Sequence, residues 1–192
     1  MTKSEELKKL YEEYNREFQG QEIVVGDGST NSRLLLVGEA PGRDEVKIGK
    51  PFVGAAGKNL AEFLEVLKLD RKSIYITNAV KYRLSKVNEK TGMVVNRPAT
   101  AKDIEGSRKY LLEEIRILEP QYIVTLGNVP LKSVTGESDI SVGQVHGELK
   151  EIEIQDKAFL LFPLYHPASI IYNRSLKDIY LNDIGKLGQI IS

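Results

Sequence analysis

Leu34-Leu35-Leu36-Val37-Gly38-Glu39-Ala40-Pro41-Gly42, with Pro51-Phe52-Val53-Gly54-Ala55-Ala56-Gly57 shortly after it, is the stretch on which the chain is organised. The apolar run Arg33–Val37 reads as a central strand buried on both faces. An amphipathic helix with Leu60, Phe63, Leu64 and Leu67 on one stripe follows from about Lys58. The loop between them leaves the carboxyl end of the strand, where open α/β sheets place their ligand crevices. Residues 38–57 hold five glycines and two prolines. Glycine lets backbone approach a ligand closely, and proline stiffens the turn. Ordinary strand-to-helix connections take ~2–6 residues, so a longer structured loop points to a shaped pocket.

Upstream, Leu7, Leu10, Tyr11, Tyr14 and Phe18 recur at helical spacing, which predicts an amphipathic helix over 3–18. Gln21–Val25 is a short strand candidate, and Gly26–Ser32 is turn-rich. Downstream, Ser73–Ala79 is the next strand and ends near Asn78. Residues 80–100 form a long connection, of a length usually functional or mobile. A helix over about Thr100–Leu118, a strand at Gln121–Leu126 and a short helix at Val129–Thr135 come next. Strands at Leu149–Ile154 and Ala158–Pro163 flank a turn, and the second leads into Tyr165-His166-Pro167. A last helix carries Leu176, Ile179, Tyr180, Ile184, Leu187 and Ile191, weakened by Gly185 and Gly188. This alternation predicts an α/β fold, with a mostly parallel sheet between helical layers.

Composition bounds the chemistry. The 192 residues suit one domain, and 41% hydrophobic content supplies a real core. Lysine plus arginine equals aspartate plus glutamate at 27 each, so nucleic-acid binding would rest on local clustering. Cysteine is absent, which removes disulfides, thiolate metal sites and thiol nucleophiles. His146 and His166 are the only imidazoles. No apolar run reaches ~18 residues and no signal-peptide core is seen, so a soluble, cytoplasmic protein without a membrane partner is the expectation.

Glu39, Asn78 and His166 fall at strand exits, which in a parallel sheet share one edge. Alone, each has an ordinary reading: a capping acid, a turn former, a packed histidine. Together beside a Gly-rich loop they describe a binding pocket. Asparagine offers donor and acceptor to an amide-like edge such as a nucleobase, Phe52 a face for stacking, and His166 a donor to a developing anion. A Walker loop is excluded, because Asn59 follows Lys58 where Ser or Thr is needed. A metal site would require more clustered histidines and carboxylates.

These residues resemble the uracil-DNA glycosylase superfamily, in particular its family 4 branch, which normally carries an iron–sulfur cluster. The resemblance rests on Gly38-Glu39-Ala40-Pro41-Gly42, Glu45, Gly49, Pro51-Phe52-Val53-Gly54 and Ala56-Gly57. It continues in Ile76-Thr77-Asn78, Lys81, Arg83, Asn96-Arg97-Pro98, Pro120-Gln121 and His166-Pro167, in order over about residues 23–190. It implies a three-layer αβα sandwich around a four-stranded, mostly parallel sheet, and hydrolysis of the N-glycosidic bond of uracil in DNA. By the same resemblance Phe52 stacks on the flipped base and Asn78 binds its amide edge. Glu39, with the backbone at Ala40 and Pro41, lines the pocket and the water site, and His166 hydrogen-bonds uracil O2. Lys81, Arg83 and Arg97 are expected on a basic DNA-facing edge. After His166, Ile171 or Tyr172 is the candidate wedge into the duplex and Arg174 a phosphate contact, a helix packed in the core being the other reading. The implied partner is uracil-containing DNA, bound by a monomer.

Three departures stand out. Tyr82 replaces the cysteine expected between Lys81 and Arg83, a second falls near Gly106, and the N-terminal pair lies before Ile23. No cluster can form, no cofactor is expected, and tyrosine, phenylalanine and apolar packing are expected in its place. Val46 stands where many members have aspartate. Residues 84–95 exceed the family's usual Pro-rich connection. Other branches carry an aspartate as water activator where this chain has Ala40, and family 4 members commonly lack it too; Glu39 is taken as the candidate water-activating group, without being deduced from that absence. Rival readings are a catalytically impaired reader of bases in DNA and a glycosylase with altered base choice.

Overall fold

The computed structural model describes residues 1–192, apart from the side chains of Ala55, Ala56, Ile170, Ile171 and Tyr172. In chain order the elements are α1 (Lys3–Glu17), β1 (Asp27–Gly28), β2 (Leu34–Gly38), α2 (Arg43–Ile48), α3 (Ala55–Leu67), β3 (Tyr75–Asn78), β4 (Ser85–Val87) and β5 (Val94–Asn96). They continue with α4 (Ala101–Leu118), β6 (Tyr122–Leu126), α5 (Asn128–Thr135), α6 (Val142–Val145), β7 (Lys150–Ile154), β8 (Lys157–Leu164), α7 (Pro167–Tyr172) and α8 (Leu176–Ile191).

The main sheet runs β1-β3-β2-β6-β8-β7. Its four inner strands are parallel, and β1 and β7 add antiparallel edges. The expected four-stranded parallel core is therefore present, widened by one strand on each side. Alternation along β2 makes the sandwich. Leu35 and Val37 pack with Leu7, Leu10 and Tyr14 of α1 and Leu111 and Ile115 of α4. Leu34 and Leu36 point the other way, to Leu60, Phe63 and Leu64 of α3 and Ile184 and Leu187 of α8. All five residues of β2 are buried, as a strand covered on both faces requires.

Gln21–Val25 departs from its expected strand. Only Ile23 bridges, to Tyr82, and pairing with the sheet is confined to Asp27–Gly28. The segment instead crosses the chain just after β3, exchanging Val24 N–H to Lys81 C=O and Arg83 N–H to Glu22 C=O. The long connection contains the β4–β5 hairpin, a separate two-stranded ribbon. The last helix persists through both its glycines. At Gly188 a side chain would meet Leu67 at 3.3 Å, so the missing Cβ lets α8 lie close on α3. Among the described residues, no helix is long and apolar enough to cross a membrane.

Candidate active site

Strand register sets the geometry. Gly38 at the end of β2 pairs with Asn78 at the end of β3, and Leu126 of β6 pairs with Leu164 of β8, two residues before His166. Glu39, Asn78 and His166 therefore meet at one sheet edge. They line a cavity of about 490 Å³ together with Ala40, Phe52, Arg83 and Asn96. Pro41 is buried beside the cavity without lining it.

Gly38 makes the floor possible. A Cβ there would lie 2.5 Å from both Phe52 Cζ and Asn78 Oδ1, so the ring and the amide share the space a side chain would fill. Phe52 is buried and holds a left-handed backbone with φ of 53°. Such a conformation in a bulky residue persists only where its surroundings enforce it. Here Arg71 donates from both terminal nitrogens to the carbonyls of Pro51 and Phe52, at 2.5 and 3.2 Å. On the other side, buried Glu45 accepts the Val53 and Gly54 amides at 3.3 and 2.9 Å. Sequence reasoning missed Arg71 altogether, and noticed Glu45 only as part of a motif.

His166 caps α7, its Nδ1 accepting the Ala168 N–H at 3.1 Å. Burial pulls its pKa below the ordinary value, so the ring is neutral near pH 7. A neutral ring whose Nδ1 accepts carries its proton on Nε2, which is thereby a donor. Burial acts oppositely on Glu39: it raises the carboxyl pKa, partly offset by the Ala99 amide.

The expected basic edge needs correction at Lys81. Its side chain is wholly buried and its ammonium donates to Glu114 Oε2 (2.6 Å), Thr77 Oγ1 (3.0 Å) and the Asn78 carbonyl (3.0 Å). All three ammonium donors are used inside the protein, leaving none for a phosphate. Arg83 is buried at the cavity wall, with its Nε on Asn96 Oδ1 at 3.1 Å. Arg97 is half-buried and binds Asp103 through both terminal nitrogens, at 2.7 and 3.0 Å, which holds the Asp103 carboxyl well below the usual range. Arg174 is exposed. The side chains of Ile171 and Tyr172 lie outside the described residues.

Where the resemblance calls for cluster cysteines, rings are packed. Phe18 lies 4.5 Å from Tyr14 and 5.0 Å from Tyr82, centroid to centroid, and Tyr14 meets Tyr110 edge-on at 4.9 Å. A Cβ at Gly106 would touch the Phe18 ring at 3.6 Å. The tyrosine hydroxyls are tied off: Tyr82 to Asp103 (2.7 Å), Tyr14 with Ser107 (2.9 Å), Tyr110 to Glu17 (2.6 Å). Aromatic carbon and a chain without cysteine do not fit an iron–sulfur cluster. Among the described residues, no three His, Asp or Glu side chains are grouped to hold a metal.

A cavity at the ends of β2, β3 and β8, furnished with a ring, an amide and a fixed imidazole, agrees with what the sequence is similar to. The Uracil DNA glycosylase superfamily profile matches residues 25–184. A Type-4 uracil-DNA glycosylase of Archaeoglobus fulgidus is 35% identical over 170 residues, covering 87% of this chain and 81% of its own. One from Sulfurisphaera tokodaii is 37% identical over 171 residues (87% and 74%), and one from Saccharolobus solfataricus 33% over 173 (88% and 76%). With nearly its whole αβα body and every element of its pocket inside the matched stretch, the chain belongs to the uracil-DNA glycosylase superfamily.

Proposed function

We propose that the protein excises uracil from DNA, hydrolysing the N-glycosidic bond of a flipped-out deoxyuridine and leaving an abasic site. The observation that carries this reading is the His166 ring, held neutral with its free donor nitrogen in a cavity shared with Asn78 and Phe52. Extrusion of the base costs a few kcal/mol, roughly, and stacking on Phe52 offsets part of it. The Asn78 side-chain amide pairs with the uracil amide edge. As the C1′–N1 bond breaks, its electron pair passes into the ring and charge grows on O2, where the Nε2–H of His166 donates. Such a donor, preset for the transition state, is the most effective form of electrostatic assistance. Water adds to C1′, guided by Glu39 and the backbone at Ala40 and Pro41. Its proton passes to Glu39, whose raised pKa makes it the better acceptor.

Arg83, Arg97 and Arg174 support the DNA backbone in this reading, with Ile171 or Tyr172 as the wedge; Lys81 drops out of that set and becomes an internal strut. The chain works as one domain and one protomer in the cytoplasm, without a cofactor. The test is incubation with oligonucleotides carrying a single uracil, followed by alkali. Strand scission at uracil and not at thymine or cytosine is expected, and Asn78→Ala should abolish most of it without unfolding the chain. Binding without scission would identify an inert reader of bases and overturn the reading.

A further inference from the structure

The β4–β5 hairpin combines two features that its fold does not explain. Its base is tightly held: Leu84 is buried, Arg97 N–H donates to the Leu84 carbonyl at 2.9 Å, and Arg83 grips Asn96. Its inner end walls the cavity with Val94, Val95 and Asn96. Beyond that, Val87 and Met93 are each 62% exposed and Val94 52%, with Val87 paired directly across from Val94. Isolated apolar residues on a surface are ordinary. Val87 and Val94, a cross-strand pair and so on one face of the ribbon, form an apolar patch at the cavity mouth, and a two-stranded ribbon gains no stability from exposing them. Lys86 and Lys90 lie on the same hairpin, whose one acidic residue is Glu89.

We propose that this hairpin is a platform for the nucleotide next to the extruded uridine. The inference rests on the excision reading above. When a base leaves the stack, the face of its neighbour loses its partner and presents flat apolar surface to water. Apolar side chains cover such faces at disrupted base steps. The neighbour is covalently tied to the nucleotide in the cavity, so it must lie over the rim, and Val94 belongs to both rim and patch. Val87 and Val94 cover the base face. Lys86 and Lys90 meet phosphates of the same strand. The contact tolerates any base, since each has a face of this kind.

The test pairs a protein change with a DNA change. Oligonucleotides carry one uridine whose 5′ or 3′ neighbour is either a normal nucleotide or a base-less tetrahydrofuran. The variant is Val87→Ser, an exposed position outside the cavity lining. Wild-type kcat/KM is expected to fall about tenfold when the base is removed on one side, as the loss of one buried apolar contact implies. In the variant that ratio should collapse toward one, with the same thermal midpoint and the same single-turnover rate at saturating DNA. Lys86→Ser/Lys90→Ser should leave the ratio intact and flatten the slope of log affinity against log salt by about 1.4 for single strands. The comparison is repeated as DNA affinity by fluorescence anisotropy, which reads the platform even if no base is excised and so separates its failure from failure of the excision reading. A wild-type protein indifferent to the neighbouring base, or a variant that keeps the full ratio, overturns the proposal. A variant that changes only the sedimentation coefficient would make the patch a contact between copies.

Discussion

Asn78 and Tyr82 lie four residues apart and serve two neighbourhoods built on different terms. Asn78 enters the cavity, where its Oδ1 and the Phe52 ring both occupy the space a Cβ at Gly38 would fill. Tyr82 enters the ring stack of α1 and α4, at the position where the resemblance calls for a cysteine. The first neighbourhood is polar and shaped around a cavity, while the second is filled with aromatic carbon. Catalysis constrains the position of particular atoms, because donors must meet charge where it forms. Holding α1, α4 and the β3 exit together constrains only volume and cohesion, which rings satisfy as well as a cluster. Between the two neighbourhoods, the Lys81 ammonium ties the Asn78 carbonyl to Glu114 of α4.

That tie is where the comparison breaks most visibly. Glu114→Ala leaves the buried Lys81 ammonium unpaired and removes the acceptor of Tyr11 and Thr77. A loss of about 3–5 kcal/mol is expected, read as a lowered denaturation midpoint in urea. His166→Ala tests the pocket side. Single-turnover excision should drop about 10²–10³-fold, or ~2.7–4 kcal/mol, with DNA affinity nearly unchanged. A parallel loss of affinity would make His166 a binding residue, and no loss at all would redraw the pocket.

The ring stack should answer in the opposite way. Tyr82→Phe keeps the ring and deletes the bond to ionised Asp103. It should cost about 1.5 kcal/mol of stability and leave the excision rate within about twofold, because the site is remote from the reacting atoms. A larger rate effect would show that the two neighbourhoods are mechanically coupled. The smallest effect is predicted for pH. With its pKa pulled below the ordinary value by burial, His166 is mainly neutral at pH 7 and above, so the rate should be nearly flat there. The unfolded chain does protonate this histidine near 6.5, so its contribution to stability declines as pH falls below that value. Glu39, whose pKa burial raises, should contribute an acid limb to excision that is absent in Glu39→Gln.

Much of this was legible before any coordinates. A parallel sheet puts strand exits on one edge, so Glu39, Asn78 and His166 could be brought together from strand order alone. The α1 stripe marked Tyr14 and Phe18 as core. Lys81 was misread because its sequence neighbours, Tyr82 and Arg83, say nothing of Glu114, which reaches it from a helix packed across the sheet. Arg71 was invisible for a different reason. Its partners are main-chain carbonyls at Pro51 and Phe52, and backbone acceptors carry no residue signature. The β4–β5 ribbon reads as loop in the sequence, since Ser85–Val87 and Val94–Asn96 are too short for an alternating pattern to emerge.

Gly38 contributes no side chain to anything, yet two neighbours occupy the volume its Cβ would claim. The consequence is historical as much as structural. A mutation at 38 is blocked while Phe52 and Asn78 stand, but either of those can shrink while 38 remains glycine. Changes around the cavity are therefore accessible in one order and not in the reverse. A lineage that enlarged residue 38 after trimming its neighbours would have to return it to glycine before it could restore the ring and the amide.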